Sequence, residues 1–221
     1  MLQTSTVKKD TLGLLKSLQA EPLLASARLV GGTALSLQIG HRESDDLDLF
    51  SVEPLDGLRV QASLIEKYGF VPSVVTENTL IGFIKDVKID VIYHPLPWLE
   101  EAVCEDGIRL ASMADIAAME MHAIINSGKR PKDFVDVAFL STRYSYNEIK
   151  QLLLKRYPAY DPIMADKAVI YFGDIDELLI PEIRMLGYVS DFKAIVRRIV
   201  KMTDNPDKVY VQPPLKSNKE K

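Results

Sequence analysis

Hydrophobic and polar positions change rhythm along this chain. Leu12, Leu15 and Leu18 fall at helical spacing and predict a helix over residues 7–19. Residues 28–30 predict a short strand running into Gly31-Gly32, and residues 33–39 a helix that starts right after the glycines. A strand over 47–51 follows, then a helix over 56–67 with Gly69 as its C-terminal stop. A strand over 70–76 comes next, and residues 80–85 and 88–93 predict a hairpin turning near Asp86 and Val87. Within it, Lys88-Ile89-Asp90-Val91-Ile92-Tyr93 alternates as a strand with two unlike faces does.

From Ser112 the pattern becomes helical. Residues 114–125 and 131–140 predict two helices, and Ser145 with Glu148 three positions on predicts a capping box at the start of a third. Pro162 suits the first turn of another. Residues 190–202 predict a last amphipathic helix with Phe192, Ile195, Val196 and Ile199 on one face. No internal repeat is present. The expected class is α+β: a mixed β-sheet core with flanking helices over residues 1–110, a helical half over 111–204, and a Pro- and Lys-rich tail over 205–221, extended or disordered.

Composition narrows the function classes. In 221 residues, 47% apolar content supports a sizeable core. A net charge of -4 argues against a nucleic-acid coat protein but leaves room for a local basic patch. Cys104 is alone, so no internal disulfide forms, and a catalytic thiol would need one of His41, His94 or His122 as its base. No apolar run approaches the roughly 18 residues that span a bilayer, and no signal-peptide core follows Lys8 and Lys9. The expected location is the cytoplasm, with no membrane partner.

The chemistry concentrates in Gly31-Gly32-Thr33-Ala34-Leu35 and Ser44-Asp45-Asp46-Leu47-Asp48-Leu49-Phe50. On a strand, alternate residues share a face, so Asp46 and Asp48 project together with Cα atoms about 6.6 Å apart. Paired carboxylates repel unless a cation or a proton lies between them, and hard oxygen donors suit magnesium, with manganese the close substitute. Asp90 supplies a third carboxylate if its strand lies beside 47–51, about 4.8 Å away. Three such groups can surround two metals roughly 3.5 to 4 Å apart, the arrangement used for in-line displacement at phosphorus. The Gly-Gly pair between strand and helix lets a phosphate approach a helix N-terminus, with the Thr33 hydroxyl near it. Asp174-Ile175-Asp176 repeats the spacing without that context and reads as a solvated turn or helix start.

These motifs resemble the nucleotidyltransferase superfamily. Gly31-Gly32-Thr33-Ala34-Leu35, His41-Arg42-Glu43-Ser44, Asp46-Leu47-Asp48-Leu49-Phe50 and Lys132-Asp133-Phe134-Val135-Asp136 together are similar to the AbiEii toxin family, over about residues 20–140. The resemblance implies a nucleotidyltransferase-type mixed sheet and nucleotide transfer from a nucleoside triphosphate to an acceptor such as tRNA. It also implies a cognate antitoxin as partner. It further implies phosphate binding at Gly31, Gly32 and Thr33 and metal at Asp46 and Asp48. Asp90 would complete the site or help deprotonate the acceptor. Arg42, Ser44 and Lys132 would lie near the nucleotide, with Asp133 and Asp136 on a helical wall.

Two positions depart from the family pattern. Glu120 stands where the family carries lysine, and Ser127 near the place of an arginine. A like charge about 4 Å from a triphosphate costs about 4 kcal/mol at an effective dielectric near 20. Lys129, Arg130 and Lys132 are possible replacements in the following turn, and Glu120 on a solvated helix face is the plain alternative. Two readings therefore stay open: an active transferase, or a fold that binds nucleotide or a protein partner without turnover. Lys193, Arg197 and Lys201 fall at four-residue steps beside Arg198, a stripe that suits either solvent or an RNA backbone. Trp98 suits packing or base stacking.

Overall fold

The computed structural model describes residues 1–218. Two compact units divide the chain: Met1–Gly40 with Ser44–Ser112, and His41–Glu43 with the chain from Met113 onward.

The first unit is built on a seven-stranded mixed sheet. Its strands are β1 (Arg28–Leu29), β2 (Leu47–Ser51), β3 (Val71–Val75), β4 (Thr79–Ile84), β5 (Val87–Tyr93), β6 (Val103–Glu105) and β7 (Ile108–Leu110), in the order β3-β4-β5-β2-β1-β7-β6. In β2 the alternation is literal: Leu47, Leu49 and Ser51 are buried, and Asp48 and Phe50 on the other face are half-buried. β2 runs parallel to β5 and antiparallel to β1. The 80–93 hairpin forms, with its turn at Lys85 and Asp86, one residue earlier than the pattern predicts. The β6–β7 hairpin around Asp106-Gly107 is additional to it; three-residue strands are too short to show a period.

Three helices complete this unit: α1 (Lys9–Ala20), α2 (Gly31–Ile39) and α3 (Gly57–Tyr68). Leu15 and Leu18 of α1 are buried, as their spacing requires. Asp56 caps α3 by accepting from Arg59 N–H, and Gly69 ends it in the left-handed conformation. α2 begins at Gly31 and not after Gly32, so the glycines form its first turn.

The second unit is helical: α4 (Met113–Asn126), α5 (Pro131–Leu140), α6 (Tyr146–Arg156), α7 (Pro162–Val169) and α8 (Phe192–Asp204), with a 3₁₀ turn at Glu177–Glu182. The capping box is present: Ser145 Oγ accepts from Glu148 N–H at 3.2 Å, and Glu148 Oε2 accepts from Ser145 N–H at 2.7 Å. Asp176 caps the 3₁₀ turn, so the second Asp-x-Asp is a helix start. Arg156 and Asp115 form a fully buried ion pair at 2.8 Å. Residues 205–217 carry no helix, but Leu215 is buried and Val189 N–H donates to the Lys216 carbonyl at 3.0 Å. Residues 219–221, part of the expected tail, lie outside the described residues.

Candidate active site

Backbone pairing places the acidic groups of the sheet unit. In the parallel register of β2 and β5, Asp48 lies directly opposite Asp90. Asp46 sits one residue before β2 begins. Val30 N–H donates to the Asp48 carbonyl at 2.9 Å, which brings Asp48 beside the start of α2. Gly31 there has φ +65°, and a Cβ on it would meet Asp48 Oδ2 at 3.0 Å. Both the backbone conformation and the approach of the carboxylate call for glycine.

Thr33 is buried, and its hydroxyl donates to the Asp46 carbonyl at 2.6 Å and lies 2.8 Å from Ser44 Oγ. Thr33 and Ser44 therefore fasten the loop that delivers Asp46. The sequence expectation had the Thr33 hydroxyl near a phosphate; the structure engages it within the loop. Lys88 was not anticipated. Its Nζ lies 2.7 Å from Asp90 Oδ2, while Asp90 Oδ1 is buried without a hydrogen-bond partner. The signal was available: two residues apart on a strand, Lys88 and Asp90 share a face.

Among the described residues, no group of three or more His, Cys, Asp or Glu side chains is gathered closely enough to hold an ion. The opposed carboxylates of Asp48 and Asp90 and the orphaned Oδ1 nevertheless have the donor chemistry of a hard divalent cation. The residues fit such an ion as hard oxygen donors that a cation would draw together.

The other expected residues belong to the helical unit. Asp136 on α5 is buried, and Arg42 Nε and Nη2 donate to its two oxygens at 2.7 and 2.6 Å. His41 Nε2 lies 2.7 Å from the Oδ1 of the same carboxylate. The Arg42 guanidinium and the two donors hold Asp136 far below the usual carboxylate range despite its burial. His41 is lowered, by burial before all else, and its Nδ1 has no partner. A neutral ring donating from Nε2 accounts for both. The 41–43 segment is stitched to 184–186 by Glu43 N–H to the Arg184 carbonyl at 2.8 Å and Leu186 N–H to the His41 carbonyl at 3.0 Å. His41 and Arg42 are thus structural members of the helical unit.

Glu120 is not on a solvated face. It is buried on α4, and burial, then the charges of Asp136 and Asp133, push its carboxyl well above its usual range. Lys132 is half-buried in the first turn of α5. Asp133 accepts from Arg130 Nε at 3.0 Å, yet burial raises it to about 6, against the Arg130 charge and with that of Asp136. A raised carboxyl adds stability that is complete below its ordinary value of 3.8 and is lost as pH climbs through about 6. The unfolding free energy between about pH 4 and 6 should therefore fall more steeply in the native chain than in Asp133→Asn, by up to about 3 kcal/mol, as read from denaturant titrations. Parallel profiles would remove this assignment.

The sheet order and its βα crossover define a nucleotidyltransferase-type fold. A crystal structure from H. pylori, described as a candidate nucleotidyltransferase, matches with a TM-score of 0.55 at 19% identity, over 90% of this chain and 96% of that one. The crystal structure of JHP933 from Helicobacter pylori matches with a TM-score of 0.54 at 19% identity, over 91% and 93%. At sequence level, an uncharacterized protein of Aquifex aeolicus (strain VF5) is 32% identical over 180 residues, 78% of this chain and 85% of that protein. The family model "Nucleotidyl transferase AbiEii toxin, Type IV TA system" matches residues 13–207. The chain belongs to the AbiEii nucleotidyltransferase toxin family.

No helix among the described residues is long and apolar enough to cross a membrane.

Proposed function

We propose that this chain transfers a nucleotide from a nucleoside triphosphate to an acceptor hydroxyl, with tRNA as the acceptor and the cytoplasm as its place of action. The observation that carries the reading is the register that sets Asp48 against Asp90 beside the Gly31-Gly32 turn. The acceptor oxygen attacks the α-phosphorus, the bond from that phosphorus to the bridging oxygen breaks, and pyrophosphate leaves with the electron pair. The acceptor proton passes to Asp90 or to water.

Asp46, Asp48 and Asp90 would hold Mg²⁺ or Mn²⁺, which neutralises charge on the triphosphate when bound. The N–H groups of the first turn of α2 would serve a phosphate at this helix start, where Gly31 also leaves room for the Asp48 carboxylate. Lys88 holds Asp90 in place and supplies a cation at the strand face. The resemblance would assign Arg42 and Lys132 to the nucleotide and Asp133 and Asp136 to catalysis; within the helical unit Asp136 clamps Arg42 and Asp133 accepts from Arg130. Family membership implies an antitoxin protein as the natural partner.

A second reading, nucleotide binding without turnover, draws on the same Lys88 contact, because an ammonium at Asp90 Oδ2 competes with a cation there. Incubation with magnesium, each labelled triphosphate and total tRNA separates the two. Label on the acceptor supports transfer. Triphosphate binding in calorimetry with no labelled acceptor supports the second reading, and neither result would end both.

A further inference from the structure

A cavity of about 280 Å³ opens in the helical unit beside α8, lined among others by Arg197, Arg198, Lys201 and Lys216 with a single carboxylate, Asp191. Leu215 forms part of its apolar floor. The cations are only weakly neutralised. Arg197 reaches Asp191 at 3.2 Å across an exposed pair, which is worth little. Arg198 spends its N–H groups on the Ser141 hydroxyl and on the Gln212 and Pro213 carbonyls, none of which cancels its charge. Among the described residues neither Lys201 nor Lys216 takes part in an ion pair. A chain with net charge -4 therefore concentrates positive charge in one concave place.

The spacing adds direction. Lys193, Arg197 and Lys201 follow at four-residue steps on α8, whose opposite face buries Ile195, Ile199 and Met202. Each step advances about 6 Å along one face. That is a ladder of cations on the scale at which phosphates repeat along an extended strand. Tyr210 stands at its side with the Arg198 guanidinium 4.3 Å from the ring centroid, so aromatic surface adjoins the charges.

We propose that this cavity and the exposed face of α8 bind the sugar–phosphate backbone of a single-stranded nucleic acid. The site is distinct from Asp48 and Asp90, and the inference stands apart from the transfer reading. An extended acidic protein segment would meet the same charges, and competition by polyglutamate is the arm of the test that separates it from a nucleic acid.

The test uses the full chain with a chelator and no triphosphate, and a labelled 12-nucleotide RNA read by fluorescence anisotropy across salt concentrations. The native chain should bind, and Lys201→Ala with Lys216→Ala should weaken binding about tenfold. The slope of log affinity against log salt should fall by about 0.7 for each lysine removed. Arg197→Ala should act in the same direction, and Lys16→Ala on α1 should change neither quantity. All four positions are exposed, so circular dichroism should match the native spectrum. No binding at low salt, or equal binding by every variant, overturns the proposal. So does equal competition by polyglutamate or by pyrophosphate at matched charge, since either would mean that the cavity reads charge alone.

Discussion

Asp48→Asn is expected to cut nucleotide transfer by about a thousandfold or more while leaving thermal unfolding nearly unchanged. The substitution keeps volume and removes only the charge. Asp48 is half-buried on β2, opposite Asp90 and against Gly31, so its carboxylate lies where the helix start and the neighbouring strand converge. Losing a preorganised charge in such a place costs on the order of 4 kcal/mol in the transition state, and each 1.36 kcal/mol is about tenfold in rate. Asp90→Asn is a poorer probe, because it also breaks the 2.7 Å contact with Lys88. The measurement is single-turnover labelling of the acceptor, with triphosphate affinity followed separately by calorimetry. Activity within tenfold of the native chain would remove Asp48 from the chemistry. Lost activity with retained triphosphate binding is the expected pair of results.

Much of the sheet unit could be read in the chain because its strands carry a period. Leu47, Asp48, Leu49 and Ile89, Asp90, Val91 announce their faces, and once both strands are seen the opposition of Asp48 and Asp90 needs only adjacency. Lys88 escaped notice for a different reason: the face it shares with Asp90 can be read from the spacing, but not whether the lysine turns toward the carboxylate or toward water. Short elements also escape. Val103–Glu105 and Ile108–Leu110 are too brief for alternation, although Asp106-Gly107 marks their turn.

Burial of charge was the least legible property. Glu120 sits among Met119, Met121 and His122, a neighbourhood that gives no warning of a sealed carboxyl. Its environment comes from Asp133, Asp136 and Arg42, which are distant along the chain. His41 and Arg42 lie between a helix and a strand of the sheet unit in sequence, yet they are packed with residues 136 and 184–186. Only tertiary structure reveals that exchange. The tail shows the same limit in reverse, since a Pro- and Lys-rich composition hides the anchoring of Leu215.

The largest loss of stability should come from Asp136→Ala. Its two oxygens receive Arg42 Nε and Nη2 at 2.7 and 2.6 Å, and Oδ1 also receives His41 Nε2 at 2.7 Å. The side chains of Asp136 and Arg42 are 1% and 5% exposed, so water cannot replace the lost carboxylate. Removing one partner of a buried pair leaves the other charge uncompensated and costs about 3–5 kcal/mol. For a chain of this length each kcal/mol moves the midpoint by about 2–4 °C, so a fall of about 10 °C in Tm is expected. Replacing both Asp136 and Arg42 by leucine should cost less than the two single losses added together, because the stranded charge goes with its partner. The acid side carries its own signature. Because Asp136 is held below its ordinary value of 3.8, its contribution is complete above that pH and is lost as acid protonates the folded state. Asp136→Ala should therefore flatten the acid limb of the stability profile, whereas Asp133→Asn flattens the limb between about pH 4 and 6. A drop of less than about 3 °C would mean that Arg42 finds another acceptor, and the clamp would then have no structural role to explain its burial.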